Sequence, residues 1–110
     1  MENQKSGTIV NISSLAGKNA FVNGAGYAAT KWALMGFSKC LMLEEREYNI
    51  RVITVCPGSV DTSFSPLEGK RGNSDKILKP QDVADAVLTA VTLPENAMMS
   101  EIDLRPTNPK

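Results

Sequence analysis

Two short β-branched runs, Gly7–Ser13 (GTIVNIS) and Arg51–Cys56 (RVITVC), flank a stretch from Gly26 to about Tyr48 that contains no proline. That order confines the fold more than any other feature of the chain. Each run is bounded by turn formers, Gly17 after the first and Pro57-Gly58 after the second, and reads as a buried strand. The stretch between them favours helix through Ala28, Ala29, Leu34, Met35, Leu41, Met42 and Leu43. A strand that returns to its sheet through a helix lies parallel to the first, with a right-handed crossover. The sequence therefore predicts a strand over 7–13, a helix over 26–48 and a strand over 51–56. A second helix is expected over 80–93, with Pro80 in its first turn, Asp82 near its start and Val83, Val87, Ala90 and Val91 as its buried stripe. Pro94 ends it, and a third, shorter strand follows over 100–105.

The fold class that results is α/β, with three parallel strands and two main helices in a doubly wound, Rossmann-like arrangement. Parallel strands need cover on both faces, and a complete doubly wound dinucleotide fold has two such halves. These 110 residues read as one partial domain with the first half missing. Along the long helix, Ala29, Ala33, Gly36, Phe37, Cys40 and Leu41 recur at helical spacing as one apolar face. Residues 59–78 carry no clean period and read as a substrate loop. Its Phe64, Leu67, Ile77 and Leu78 either line a lid or simply pack, and its Lys70-Arg71 is a solvated pair or a contact for an acidic group.

Composition removes several functions. Lys plus Arg and Asp plus Glu each number 12, so the net charge is zero, which argues against a nucleic-acid partner. No apolar run approaches the ~20 residues of a membrane helix, and the first residues lack a signal peptide's apolar core. A cytoplasmic location is expected, with no membrane partner. There is no histidine and no CxxC pair, so no metal site is expected. Cys40 and Cys56 read as packing residues, and Trp32 as part of a helix contact.

Without histidine, a proton-transfer catalyst has to be a carboxylate, lysine, tyrosine or cysteine. Tyr27 and Lys31 stand one helical turn apart on one face. Free tyrosine holds its proton up to about pH 10. An ammonium about 4 Å from the phenolate contributes roughly 4 kcal/mol at an effective dielectric near 20, enough to bring the proton into play near neutral pH. Taken alone, the pair equally describes a solvated helix face. Ser13 and Ser14 add to it because they end the strand before the helix, and ligands bind at the carboxyl ends of parallel strands. Pro57-Gly58 ends the next strand at the same edge. A serine there either hydrogen-bonds a developing oxyanion or caps the next element.

The stretches Gly7–Gly17 (GTIVNISSLAG), Tyr27–Lys31 (YAATK), Ile50–Val52 (IRV) and Cys56–Thr62 (CPGSVDT) together resemble the short-chain dehydrogenase/reductase family. The resemblance is tight over about residues 7–62 and looser beyond. It places the family's Tyr-x-x-x-Lys on Tyr27 and Lys31, and its catalytic serine on Ser14 rather than Ser13. Its Pro-Gly motif falls on Pro57 and Gly58, with Val60 and Thr62 where the family contacts nicotinamide and pyrophosphate. It implies NAD or NADP as cofactor and a small-molecule carbonyl or alcohol as substrate, interconverted by hydride transfer. Tyr27 would exchange the proton, Ser14 bind the substrate oxygen, and Lys31 assist Tyr27 and hold the ribose.

The family's glycine-rich phosphate loop, its Asn-Asn-Ala-Gly segment and its relay asparagine have no counterpart here. The chain starts at what corresponds to the family's fifth strand, and Met1 reads as an internal residue. The resemblance thus implies a truncated enzyme whose 110 residues alone are inactive. A homo-oligomer through the helix at 26–48 is implied for the full-length form. Asp103–Thr107 lacks the double glycine of the acyl-carrier-protein reductases, which points toward small alcohols or hydroxy acids. The alternative is a non-catalytic binding or assembly fragment derived from such an enzyme.

Overall fold

The computed structural model describes residues 1–15, 22–60 and 77–108. Strand β1 (Gly7–Ile12), helix α1 (Ala25–Glu45), strand β2 (Ile50–Pro57), helix α2 (Pro80–Val91) and strand β3 (Glu101–Leu104) follow in that order. The three strands form one sheet in the order β1-β2-β3. Both pairings are parallel, with Val10 opposite Ile53 and Val55 opposite Ile102.

Successive side chains on a strand point to opposite faces, and each face has its own helix. On one face Ile53, Val55 and Ile102 form the core with Ala90, packed by Val10, Val83, Ala86, Val87 and Val91. This is the stripe that the spacing of α2 predicts. Each fully buried Ile or Val contributes about 1.5–3 kcal/mol. The opposite face meets α1, and its contacts are more polar. Asn11 Nδ2 donates to Ser38 Oγ at 2.9 Å, and the Cys56 thiol donates to Met35 Sδ at 3.5 Å.

The helix ends have local causes. The α-helical part of α1 stops at Glu45, and a 3-10 turn carries the chain over Arg46–Tyr48. This corrects the expected single helix to Tyr48: the tighter turn uses carbonyls that a helix end leaves unpaired. Asn49 then takes a left-handed conformation (φ 59°) and donates its N–H to Arg46 O, a conformation asparagine tolerates. At the start of α2, Asp82 accepts the Lys79 N–H at 2.8 Å. The helix closes at Val91, short of the expected 93, where Thr92 caps it ahead of Pro94. Strand β3 stops at Leu104 rather than 105, because Leu104 O accepts the Gly58 N–H and Pro106 has none to give.

One expectation about α1 is corrected: Cys40 is exposed, so it is not a packing residue among the described residues. The apolar face read from the spacing turns outward, with Ala29, Ala33, Gly36, Phe37 and Cys40 exposed and only Leu41 of that set half-buried. Trp32 is also turned outward, 53% exposed. The residues turned to the sheet are Met35 and Ser38. The sheet presents Asn11 and Cys56 on this side, so the helix meets it with a hydroxyl and a thioether rather than with its most apolar stripe.

The substrate loop expected at 59–78 is described only at its two ends. Val60 bridges Leu78 in parallel, and Leu78 N–H donates to Ser59 O at 3.0 Å. Residues 61–76 lie outside the described residues, and with them Thr62, Phe64, Leu67, Lys70 and Arg71. Among the described residues no helix is long and apolar enough to cross a membrane.

Arg51 ties the amino edge together. Its guanidinium donates to Thr8 Oγ1 on β1 and to the carbonyls of Val91, Leu93 and Ala97 at 2.9–3.3 Å. The carbonyls at the end of α2 carry the negative end of the helix dipole, which favours a cation there. Arg51→Ala should destabilise the fold by about 2–4 kcal/mol, read as a lower urea midpoint. Arg51→Lys should recover little of it, since an ammonium lacks the fork; full recovery would mean that charge alone matters.

A second effect is pH-dependent. Partial desolvation, a hydrogen bond to Glu2, and the charges of Glu2, Glu44 and Glu47 raise the Glu45 carboxyl above its ordinary value. A folded state that holds this proton more tightly is favoured below the ordinary carboxylate value and loses that advantage as pH rises through the raised one. Glu45→Gln should therefore flatten the fall in stability that sets in as pH rises above the ordinary carboxylate value of about 4. An unchanged slope in urea unfolding would refute the link.

Candidate active site

Parallel pairing in register brings the carboxyl ends of β1 and β2 to one edge of the sheet. The segment Ser13–Leu15 leaves β1 there, and Pro57–Val60 leaves β2. Helix α1 (Ala25–Glu45) runs back from this edge, so its first two turns, with Tyr27 and Lys31, start there. Gly24 O accepts the Ala28 N–H at 2.7 Å, which opens the helix just before the tyrosine. The chain thus gathers its phenol, one ammonium, a pair of hydroxyls and a proline–glycine turn at a single edge.

Lys31 Nζ lies over the Tyr27 ring, 5.6 Å from its centroid, within the range of a cation–π contact. Tyr27 is 46% exposed and Lys31 is half-buried. The ring thus has the ammonium on one face and stays about half exposed. Thr30 Oγ1 donates to Tyr27 O at 2.8 Å, closing the first turn.

The two serines differ in environment. The Ser13 N–H extends the ladder by one bond, to Val55 O at 2.7 Å. Its side chain is 5% exposed, and its Oγ finds no hydrogen-bond partner among the described residues. Ser14 is half-buried and lies one residue further out, where the chain has left the ladder. Alternation along the strand directs Ser13 inward and releases Ser14 to the edge.

Pro57 is buried and pairs with Leu104 of β3. Gly58 N–H donates to Leu104 O at 2.9 Å, which fixes the turn that leads to Val60. Thr62 lies outside the described residues. Among the described residues there is no cluster of His, Cys, Asp or Glu that would hold a metal ion.

Two surface hollows lie elsewhere. One of about 500 Å³ is at the amino edge, lined by Lys5, Thr8, Asn49, Arg51 and Glu95 among others. The donors of Arg51 are spent on Thr8 and three carbonyls, so this cation offers the hollow no free N–H. A second, of about 310 Å³, lies between the end of α1 and the start of β3, lined by Ser38, Met42, Leu43, Thr54 and Glu101 among others. Neither includes Tyr27, Lys31 or Ser14.

The sequence reading missed the neighbours of Gly58. Besides Leu104, a side chain at 58 would meet Leu15 and Pro106. No local pattern points to them, because they come from the segments after β1 and β3. The dipeptide Pro-Gly signals only a turn.

Known proteins share this fold. The sequence profile of the family described as short chain dehydrogenase matches residues 1–71. An NADP-dependent 3-hydroxy acid dehydrogenase of Schizosaccharomyces pombe is 34% identical over 93% of this chain and 42% of its own length. A crystal structure of a metagenomic short-chain oxidoreductase in complex with NADP superposes with a TM-score of 0.75 and 38% identity, over 97% of this chain and 41% of that one. A 3-oxoacyl-[acyl-carrier protein] reductase with bound NAD from Brucella melitensis gives 0.79 and 32%, over 100% and 44%. The chain thus spans less than half the length of the relatives it matches. The matched residues contain Ser14, Tyr27, Lys31 and the Pro57-Gly58 turn on a parallel sheet of the same shape: the chain belongs to the short-chain dehydrogenase family.

Proposed function

We propose that this chain carries the proton-transfer half of an NAD- or NADP-dependent oxidoreductase that interconverts a carbonyl and an alcohol. The observation that supports it most is the ammonium of Lys31 held over the Tyr27 ring at the same edge as Ser14. The donor set suits the nicotinamide–ribose part of a dinucleotide. A phenol and an ammonium can meet ribose hydroxyls, and the backbone from Gly58 to Val60 can meet a carboxamide. Lys31, Tyr27, Pro57, Gly58, Val60 and Thr62 are the residues assigned to hold it. NAD or NADP, when bound, supplies or accepts the hydride.

The chain's own residues handle the proton and the oxygen. During carbonyl reduction Tyr27 gives its phenolic proton to the oxygen on which charge develops, and it takes the proton back in alcohol oxidation. Ser14 hydrogen-bonds that oxygen and fixes its position. Lys31 sets a positive charge beside the ring whose oxygen becomes anionic after the transfer. Small hydroxy acids are the substrate class assigned, in keeping with the 3-hydroxy acid dehydrogenase from S. pombe and with the absence of a double glycine in Asp103–Thr107. The outward stripe of α1, with Trp32, Phe37 and Leu43 each more than half exposed, supports pairing of two copies along this helix in the full-length protein. The same stripe would serve an assembly fragment without activity, and the next variants separate the two readings.

In the full-length protein, assayed with NADP+ and a panel of 3-hydroxy acids, Tyr27→Phe should leave less than about a tenth of the turnover. That corresponds to at least about 1.4 kcal/mol of barrier, with NADP+ affinity retained. Turnover above that level would remove the phenol from the proton path. Ser14→Ala should lower kcat far more than Ser13→Ala. Ser13→Ala removes a buried hydroxyl that has no partner among the described residues and should raise stability by about 1 kcal/mol, read from the urea midpoint. The reverse order of activities would move the reacting hydroxyl to position 13.

A further inference from the structure

Gly58 does not take the left-handed backbone that would call for glycine; its need is for space. A Cβ at 58 would lie 3.2 Å from Leu15 Cδ1, 3.4 Å from Leu104 O and 3.7 Å from Pro106 Cδ. The last two distances are ordinary contacts, so the tight one is with the tip of Leu15. Leu15 directly follows Ser14, and Gly58 directly follows the last residue of β2. Leu104 O accepts the Gly58 N–H at 2.9 Å from the third strand. The segments leaving all three strands therefore meet at one point, with the Leu15 tip closer to the place of a Cβ at 58 than an ordinary contact allows.

We infer that Leu15 is a positioning residue for Ser14, seated against Gly58. The inference rests on the proposed role of Ser14. Leu15 touches no reacting atom. Its side chain closes the space above Gly58 and keeps the segment after β1 from moving relative to the turn after β2. The serine hydroxyl and the backbone assigned to the nicotinamide carboxamide are thereby kept in fixed relation. Displacements well under 1 Å at such a junction are enough to lower a rate, since reacting groups must be held to within a few tenths of an ångström. Pro106 also lies against Gly58, which gives the segment after β3 a part in the site although it lies outside the residues matched by the family profile.

A double-mutant cycle in the full-length protein tests this, with NADP+ and a 3-hydroxy acid as probes. Leu15→Ala and Gly58→Ala should each lower kcat by about threefold or more, with the Kd for NADP+ within about twofold of wild type. The double variant should turn over within about twofold of Leu15→Ala, because the new methyl occupies the space that leucine vacates. Independent effects would multiply instead, and that result overturns the inference, as does an unchanged kcat in Leu15→Ala. If Gly58→Ala does not fold, Leu15→Ala and Leu15→Met carry the test. Methionine, which reaches the same space, should restore kcat, and failure to do so counts against the seat. Wild-type protein that neither binds NADP+ nor oxidises any hydroxy acid would refute the proposed function itself. The thermal stabilities of the four proteins would then still report whether positions 15 and 58 are coupled, and additive values would refute the seat on its own.

Discussion

Strand β2 is hydrogen-bonded on both edges and covered on both faces, and the other elements take their places from it. Seven of its eight residues are buried; Arg51 is the exception. Val52, Ile53, Val55 and Cys56 are each at most 1% exposed. Burying such a strand leaves no freedom of register, because a slip of one residue would exchange its two faces. Ile53 and Val55 would then meet α1, and Cys56 would leave Met35. The register that results places Ile12 beside Val55 and Pro57 beside Leu104. The three strands thus end close together, and the segments that leave them converge on Gly58.

The same strand explains why the apolar stripe of α1 is not its buried stripe. Residues 52, 54 and 56 face α1, and they include a threonine and a cysteine. The helix answers with Ser38 and Met35. A sequence period shows that a helix has an apolar side, but not which partner that side meets. Here the partner across the sheet interface is small and partly polar. The more apolar side, with Ala29, Ala33, Gly36, Phe37 and Cys40, is turned outward. For α2 the inference from period to core holds, because its stripe faces Ile53, Val55 and Ile102, which are apolar throughout.

What was legible in the sequence was local. The order of strands and helices follows from β-branched runs and from the placement of proline, and the Tyr27–Lys31 contact follows from one helical turn. The choice of Ser14 over Ser13 came from resemblance alone. The structure adds a physical difference between them: one hydroxyl is held inside the ladder and the other lies beyond its last bond. The partners of Gly58 and the carbonyls that receive Arg51 were not legible. They join residues far apart in sequence, and a backbone carbonyl leaves no mark in the identity of its residue. Leu93 and Ala97 accept from Arg51 through atoms that every residue has.

The two cations show how the chain separates stability from chemistry. At the amino edge a guanidinium with a fixed fork of donors is fully engaged by Thr8 and the carbonyls after α2, and so binds nothing else. At the carboxyl edge stands a lysine, a compact charge on a flexible stem that presents no fixed fork. Exchanging the two would harm both edges. A lysine at 51 cannot bridge β1 and the end of α2 at once. An arginine at 31 would stack flat on the Tyr27 ring and could not gather its charge at one point beside the phenolic oxygen. The edge that needs no adaptation holds the saturated group, and the edge assigned to changing charge holds the mobile one.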